Sequence, residues 1–179
     1  ASYFKGADRP VDQVSWNDAV EFCNKLTEME KKAGRVPEGM SYQLPTQAQW
    51  EYACRAGTST MYSWGDSISS SNANYDRNVG ETTPVGKYPV NPWGFYDMHG
   101  NIYEWCADWY GGTYPSGSVT NPEGPASGSV PGISGRVLEL FRRGPAFGRP
   151  PRQRPEFPPQ PLRLPCRFPF KQVSHGCGS

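Results

Sequence analysis

Asn91-Pro92-Trp93-Gly94-Phe95-Tyr96-Asp97-Met98-His99-Gly100-Asn101-Ile102-Tyr103-Glu104-Trp105 sets five aromatic side chains among Pro, Gly and Asn. Short apolar runs broken by turn residues predict short strands in ordered loops, with Gly94–Met98 and Ile102–Trp105 as candidates. Asp97 and Glu104 place two carboxylates within eight residues, and the backbone between them supplies carbonyls. Hard cations such as calcium take about 6–8 oxygen ligands, so such a turn is a candidate cation site. The plainer reading is that Asp97 caps a turn and Glu104 pairs with an arginine.

Upstream, two segments read as helices. Val14-Ser15-Trp16-Asn17-Asp18 carries a Ser N-cap with an acidic partner three residues on. Trp16, Ala19, Val20, Cys23, Leu26 and Met29 then recur at helical spacing, and Gly34 is a C-terminal stop. This predicts a helix over about 16–32. Thr46, Gln49 and Gly57 frame a second helix by the same logic. From 58 to 136, Gly, Pro, Asn and Ser interrupt every few residues, so long ordered loops are expected, with Thr82–Tyr88 as a further strand candidate. A loop region this long in a compact domain is usually functional or held by ions. Trp and Tyr side chains can build a core where regular elements are scarce.

The formal net charge of +1 hides a break. Residues 1–136 hold 10 basic and 15 acidic side chains, a net of −5, whereas 137–179 hold 8 basic and 2 acidic, a net of +6. All six Trp and ten Tyr precede residue 117, while nine of the 19 Pro fall after 136. The tail's proline spacing blocks helices and central strands, so no independent fold is expected there. A near-neutral chain argues against a dedicated nucleic-acid binder. No run of 18 apolar residues offers a membrane span, and the first residues lack the pattern of a signal peptide. Localisation is therefore left open.

Several blocks fall in one order. They are Val14-Ser15-Trp16 with Asp18-Ala19, Leu44-Pro45-Thr46 with Trp50-Glu51-Tyr52-Ala53, Trp64-Gly65, Asn72-Ala73-Asn74-Tyr75 and Thr83-Pro84-Val85-Gly86. The opening stretch follows, and Asn121-Pro122, Gly124-Pro125 and Gly135-Arg136-Val137 close the series. Over roughly residues 9–137 this resembles the formylglycine-generating enzyme, or sulfatase-modifying-factor, family. The resemblance implies an α+β, C-type-lectin-like fold with two helices, short strands and little regular secondary structure. It implies a calcium site from the Asp97 and Glu104 side chains with the Gly100 and Ile102 carbonyls. A second, weaker set retains only Asn74 and the Tyr75 carbonyl. The expected organisation is a family domain over 1–137, starting after the family's first strands, and an aberrant Arg/Pro-rich tail over 138–179.

After Leu138 the family's Arg-Gly-Gly-Ser-Trp and closing Gly-Phe-Arg are missing, and so is its copper-binding pair of nearby cysteines. Cys166 and Cys177 stand in unrelated surroundings, so no catalytic residue is assigned. A reading frame shifted by one nucleotide accounts for the break, since the codons around Arg167-Phe168-Pro169 can encode Gly-Phe-Arg; a divergent tail is the rival. Cys23 and Cys54 sit at apolar helical positions and read as buried free thiols, although matching positions in some relatives form disulfides with C-terminal cysteines. Cys106 reads as packed. No ligand spacing suggests zinc. His99 lies beside the candidate cation turn and His175 in the tail, and nothing local makes either catalytic. The preferred expectation is a binding or interaction scaffold with calcium, its ligand a protein or a small molecule. The alternative is a copper-dependent oxidase that converts a sulfatase cysteine to formylglycine. A partner domain of a kinase or a non-haem-iron enzyme is a third reading.

Overall fold

The computed structural model describes residues 2–111, 122–125 and 127–134. Two helices come first, α1 (Trp16–Lys32) and α2 (Gln47–Arg55), and two strands follow, β1 (Glu104–Trp109) and β2 (Pro131–Ser134). The arrangement is α+β with little regular structure, as expected. The boundary near 137, the Arg/Pro-rich tail and its Cys166, Cys177 and His175 lie outside the described residues.

Both helices start where their sequences place them. Ser15 Oγ accepts from the Asp18 amide, and the Asp18 carboxylate accepts from the Ser15 amide at 3.1 Å. Thr46 and Gln49 repeat this reciprocal cap on α2. These bonds satisfy donors that a helix start otherwise leaves orphaned. α1 ends at Ala33, with Gly34 at φ 69° just beyond. α2 ends one residue before the expected glycine, on Ala56 in the left-handed region at φ 47°.

β1 and β2 pair antiparallel, Glu104 opposite Ser134 and Trp105 opposite Ile133, with an irregularity before Trp109 meets Pro131. Beneath this hairpin lies the core: Trp50, Ala53 and Cys54 of α2, Met98, and Cys106 of β1, with Phe95 against them. α1 joins through its first residue. The Trp16 indole donates to the Cys106 carbonyl at 2.8 Å, and its ring lies 6.4 Å from that of Trp109.

Two expected strands are absent. Thr82–Tyr88 is interrupted by Pro84 and by Gly86 at φ 74°, and Gly94–Met98 by Gly94 at φ 88° and Asp97 at φ 58°. Left-handed residues turn the chain out of an extended ladder. The third, Ile102–Trp105, is displaced: the strand begins at Glu104 and runs to Trp109. In place of ladders, side chains hold the loops. Buried Asn91 donates to the Ala53 carbonyl at 2.8 Å and accepts from the amides of Trp93 and Phe95 at 3.0 Å. It thereby ties the 91–95 turn to the end of α2.

Candidate functional site

The Asp97–Glu104 turn lies between the core and the first residue of β1. Asp97 and Asn101 both adopt left-handed backbone, at φ 58° and 72°. Asn and Asp tolerate this conformation best among residues with a Cβ. The Gly100 amide donates to the Asp97 carbonyl at 3.2 Å, and the Ile102 amide to the Gly100 carbonyl at 3.0 Å, so the turn closes on itself. Gly100 is required for space: a Cβ there would stand 2.3 Å from the Asn74 carbonyl oxygen.

The two carboxylates are held differently. Asp97 Oδ2 accepts from the Gly86 amide at 2.8 Å, while Oδ1 is buried with no hydrogen-bond partner. A buried unpartnered carboxylate oxygen is costly unless a proton, a water or a cation meets it. Glu104 Oε2 accepts from the Trp50 indole at 2.7 Å, and no arginine pairs with it among the described residues. Arg55 pairs instead with Glu51. Burial pushes the Asp97 carboxyl above its ordinary range, against the opposing Gly86 hydrogen bond. Burial does the same to Glu104, and the negative charge of Asp97 adds to the shift. The charge of Asp97 is thus felt at Glu104, and a bound cation would offset the negative charge of both.

Asp97 also lines a cavity of about 10 Å³ with Asn74, Asn91, His99 and Gly100. Such a volume accepts about one water-sized occupant. No cluster of three or more His, Cys, Asp or Glu side chains suited to a metal exists among the described residues. A cation here would draw its remaining ligands from carbonyls and water. That suits a hard ion such as calcium better than a thiophilic one.

The second expected set sits next to the first. The Asn101 amide donates to the Asn74 carbonyl at 2.8 Å. The Asn74 side-chain amide donates to the Glu81 carbonyl at 2.7 Å, and the Tyr75 carbonyl accepts from the Asn78 amide at 2.9 Å. Asp76 and Arg77 complete that turn in left-handed conformation. Both groups therefore already have protein partners.

His99 and Cys54 are brought together, which spacing alone did not indicate. Cys54 Sγ lies 3.6 Å from Nε2 and 3.7 Å from Nδ1, aimed at neither nitrogen in particular. Nε2 accepts from the Ser63 amide at 3.2 Å, which leaves the ring proton on Nδ1. Trp64 and Tyr62 pack edge-on against the ring at 4.6 and 5.5 Å. Burial, and then the Arg55 charge, lowers the His99 pKa to about 4, while burial raises the Cys54 thiol beyond the ordinary thiol range. A neutral imidazole beside a protonated thiol is a packed pair rather than an activated nucleophile. Cys106, fully buried, is pushed up by burial to about 12. Cys54 and Cys106 are buried free thiols, and Cys23 is buried on α1.

Sequence reasoning missed Trp50 and Asn101 as parts of this site. Both lay inside quoted motifs, but their partners are 54 and 18 residues away.

Comparison with known proteins bears on the same residues. The family described as the sulfatase-modifying factor enzyme 1-like domain matches residues 2–151. A formylglycine-generating enzyme from Bos taurus is 35% identical over 136 residues, covering 68% of this chain and 33% of that protein. A serine/threonine-protein kinase, pkn1, from Chlamydia caviae is 48% identical over 126 residues, covering 68% of this chain and 18% of the kinase. Among solved structures, Treponema denticola variable protein 1 superposes with a TM-score of 0.62 at 27% identity, over 74% of this chain and 64% of that one. The chain thus spans about a third or less of the curated relatives named here.

Proposed function

The chain belongs to the sulfatase-modifying factor enzyme 1-like family, and from that premise we propose that it is a binding or interaction scaffold carrying calcium in the Asp97–Glu104 turn. The observation that carries the calcium reading is Asp97 Oδ1, buried and without a hydrogen-bond partner, in a turn that ends on a second acid, Glu104, whose carboxyl burial also pushes up. Asp97 and Glu104 would supply carboxylate oxygens, and Gly100 and Ile102 carbonyl oxygens. Calcium would supply fixed positive charge that holds the turn, with no part in a covalent step. Asn74 and Tyr75 form at most a weaker second set, because the sequence retains only these two of its ligands. The scaffold reading is supported by a frame built from side-chain bonds, which leaves loop surfaces free to differ. A solved relative on this fold is named a variable protein.

The test is thermal melting with calcium and with chelator. Calcium should raise the melting temperature of the parent chain and leave Asp97→Ala and Glu104→Ala unmoved. A parent chain indifferent to calcium would remove the metal.

The second reading, copper-dependent formation of formylglycine, draws on the bovine relative's name. It requires a close cysteine pair that the sequence does not offer. Turnover of a sulfatase-type cysteine peptide by this chain with copper would establish it over the scaffold. The relation to the chlamydial kinase supports the third reading, a domain working beside a kinase.

A further inference from the structure

We propose that Asn101 is the positioning residue of the Asp97–Glu104 turn, clamping it to the 81–86 segment so that a cation bound in the turn is felt at Thr83. The inference rests on the reading of that turn as a cation site.

Asn101 stands between Gly100 and Ile102, the two residues whose carbonyls would face the ion. Its side chain engages both backbone groups of one residue. Oδ1 accepts from the Thr83 amide at 2.8 Å, and Nδ2 donates to the Thr83 carbonyl at 3.1 Å. The Thr83 hydroxyl adds a longer bond to Oδ1 at 3.3 Å. This is the two-bond pairing of a sheet ladder, made by a side-chain amide. Asn101's own amide reaches the Asn74 carbonyl at 2.8 Å, so three segments meet at one left-handed residue.

The clamp has a second point. Gly86, three residues beyond Thr83, donates to Asp97 Oδ2 and so leaves Oδ1 as the oxygen for a cation. The 81–86 segment is itself fixed from behind. Arg9 meets Glu81 at 3.1 Å and Thr82 Oγ1 at 3.3 Å, and the Val85 amide donates to the Asp8 carbonyl at 2.7 Å. Thr82 and Thr83 are buried, whereas the Arg9–Glu81 pair is partly exposed. The turn's carbonyls and its carboxylate are therefore aimed by one rigid strip, with Asn101 as the link on the carbonyl side. Residues that orient ligands without touching the metal typically change affinity about 10- to 100-fold when lost.

The experiment uses calcium as the only probe and the full chain, with Kd from titration calorimetry and amide exchange measured with and without calcium. Asn101→Gly keeps the left-handed backbone and removes the amide. Asn101→Asp keeps an acceptor, adds negative charge and sets an oxygen against the Thr83 carbonyl. Positioning predicts weaker calcium binding in both, by about 10- to 100-fold in Asn101→Gly. A residue acting by charge or as a ligand predicts tighter binding in Asn101→Asp. In the parent, calcium should slow exchange at both Thr83 and Gly86; in Asn101→Gly saturated with calcium, slowing should persist at Gly86 and vanish at Thr83. Parent-like affinity in Asn101→Gly, tighter binding in Asn101→Asp, or no calcium-dependent slowing at Thr83 in the parent overturns the proposal. The parent measurement needs no variant to fold. A parent that binds no calcium overturns this inference together with the calcium reading. A parent whose binding is lost in Asp97→Ala but kept in Asn101→Gly overturns this inference alone.

Discussion

Gly100→Ala puts the packing of the candidate site under direct test. The added Cβ would sit 2.3 Å from the Asn74 carbonyl oxygen and 3.0 Å from its carbon, and neither is the movable end of a side chain. Contacts below 3.0 Å are essentially never seen for real Cβ atoms, so the two backbones must part by at least 0.7 Å. Overpacking of this kind costs about 1–3 kcal/mol. The same parting stretches the Asn101 amide bond to the Asn74 carbonyl, now 2.8 Å, which contributes about 1 kcal/mol more. The sum, about 2–4 kcal/mol, corresponds to a fall in melting temperature of roughly 10 °C for a domain of this size. Gly94→Ala is the control, because a Cβ there meets nothing within 4 Å and suffers only from φ 88°. It should cost about 1–2 kcal/mol of backbone strain. The assay is chemical denaturation of parent and both variants, with amide exchange at Asn101. Gly100→Ala as stable as the parent, or less harmful than Gly94→Ala, would refute the close approach of the 74 and 100 backbones.

His99 should make the chain acid-sensitive. Its folded pKa of about 4 lies below the ordinary 6.5, so the unfolded chain takes up the proton first. The stability it contributes is present above pH 6.5 and is lost as pH falls toward 4, by at most about 3 kcal/mol. Asp97 and Glu104 act oppositely, since raised carboxyl pKa values favour the folded state as pH falls. The histidine term is therefore read as the difference between parent and His99→Gln, and equal pH slopes from 7 to 5 would disprove it. The core thiols should resist alkylation at neutral pH. With Cys23, Cys166 and Cys177 changed to Ser, labelling of Cys54 and Cys106 should proceed only as fast as the protein opens. Rapid labelling of the folded chain would show that burial does not protect them.

Some of this architecture is written locally. Ser15 with Asp18 and Thr46 with Gln49 are contacts over three residues, and short-range chemistry of that kind can be read from a linear string. The apolar spacing of α1 is likewise periodic. The strands were harder to place, because Thr82–Tyr88 and Gly94–Met98 have the composition of strands but turn at Gly86, Gly94 and Asp97. Backbone handedness at an Asp has no periodic signature. At the site, Asp97 and Glu104 were legible as acids in a turn, whereas their environments were not. Trp50 reaches Glu104 across 54 positions, Gly86 reaches Asp97 across 11, and Asn101 reaches Thr83 across 18. Such contacts exist only once the chain is folded.

These contacts share a chemical logic that explains how so few regular elements support a defined site. A ladder secures backbone groups in series, but here the described hairpin is short. Indole donors take over part of that role at β1: Trp16 bonds the Cys106 carbonyl, Trp105 bonds the Val14 carbonyl, and Trp50 bonds Glu104 itself. Each indole brings a large apolar body with a single donor, so one side chain fills core volume and fixes a strand position together. Amide side chains do the same for turns, Asn91 at the end of α2 and Asn101 at Thr83. Surface side chains of those same turns, such as Trp93, Tyr96 and Tyr103, are 40–44% exposed and outside the core cluster. Changes at these exposed positions leave the indole and amide fastenings in place, whereas changes at Trp50 or Asn101 reach the carboxylate and carbonyls of the turn directly.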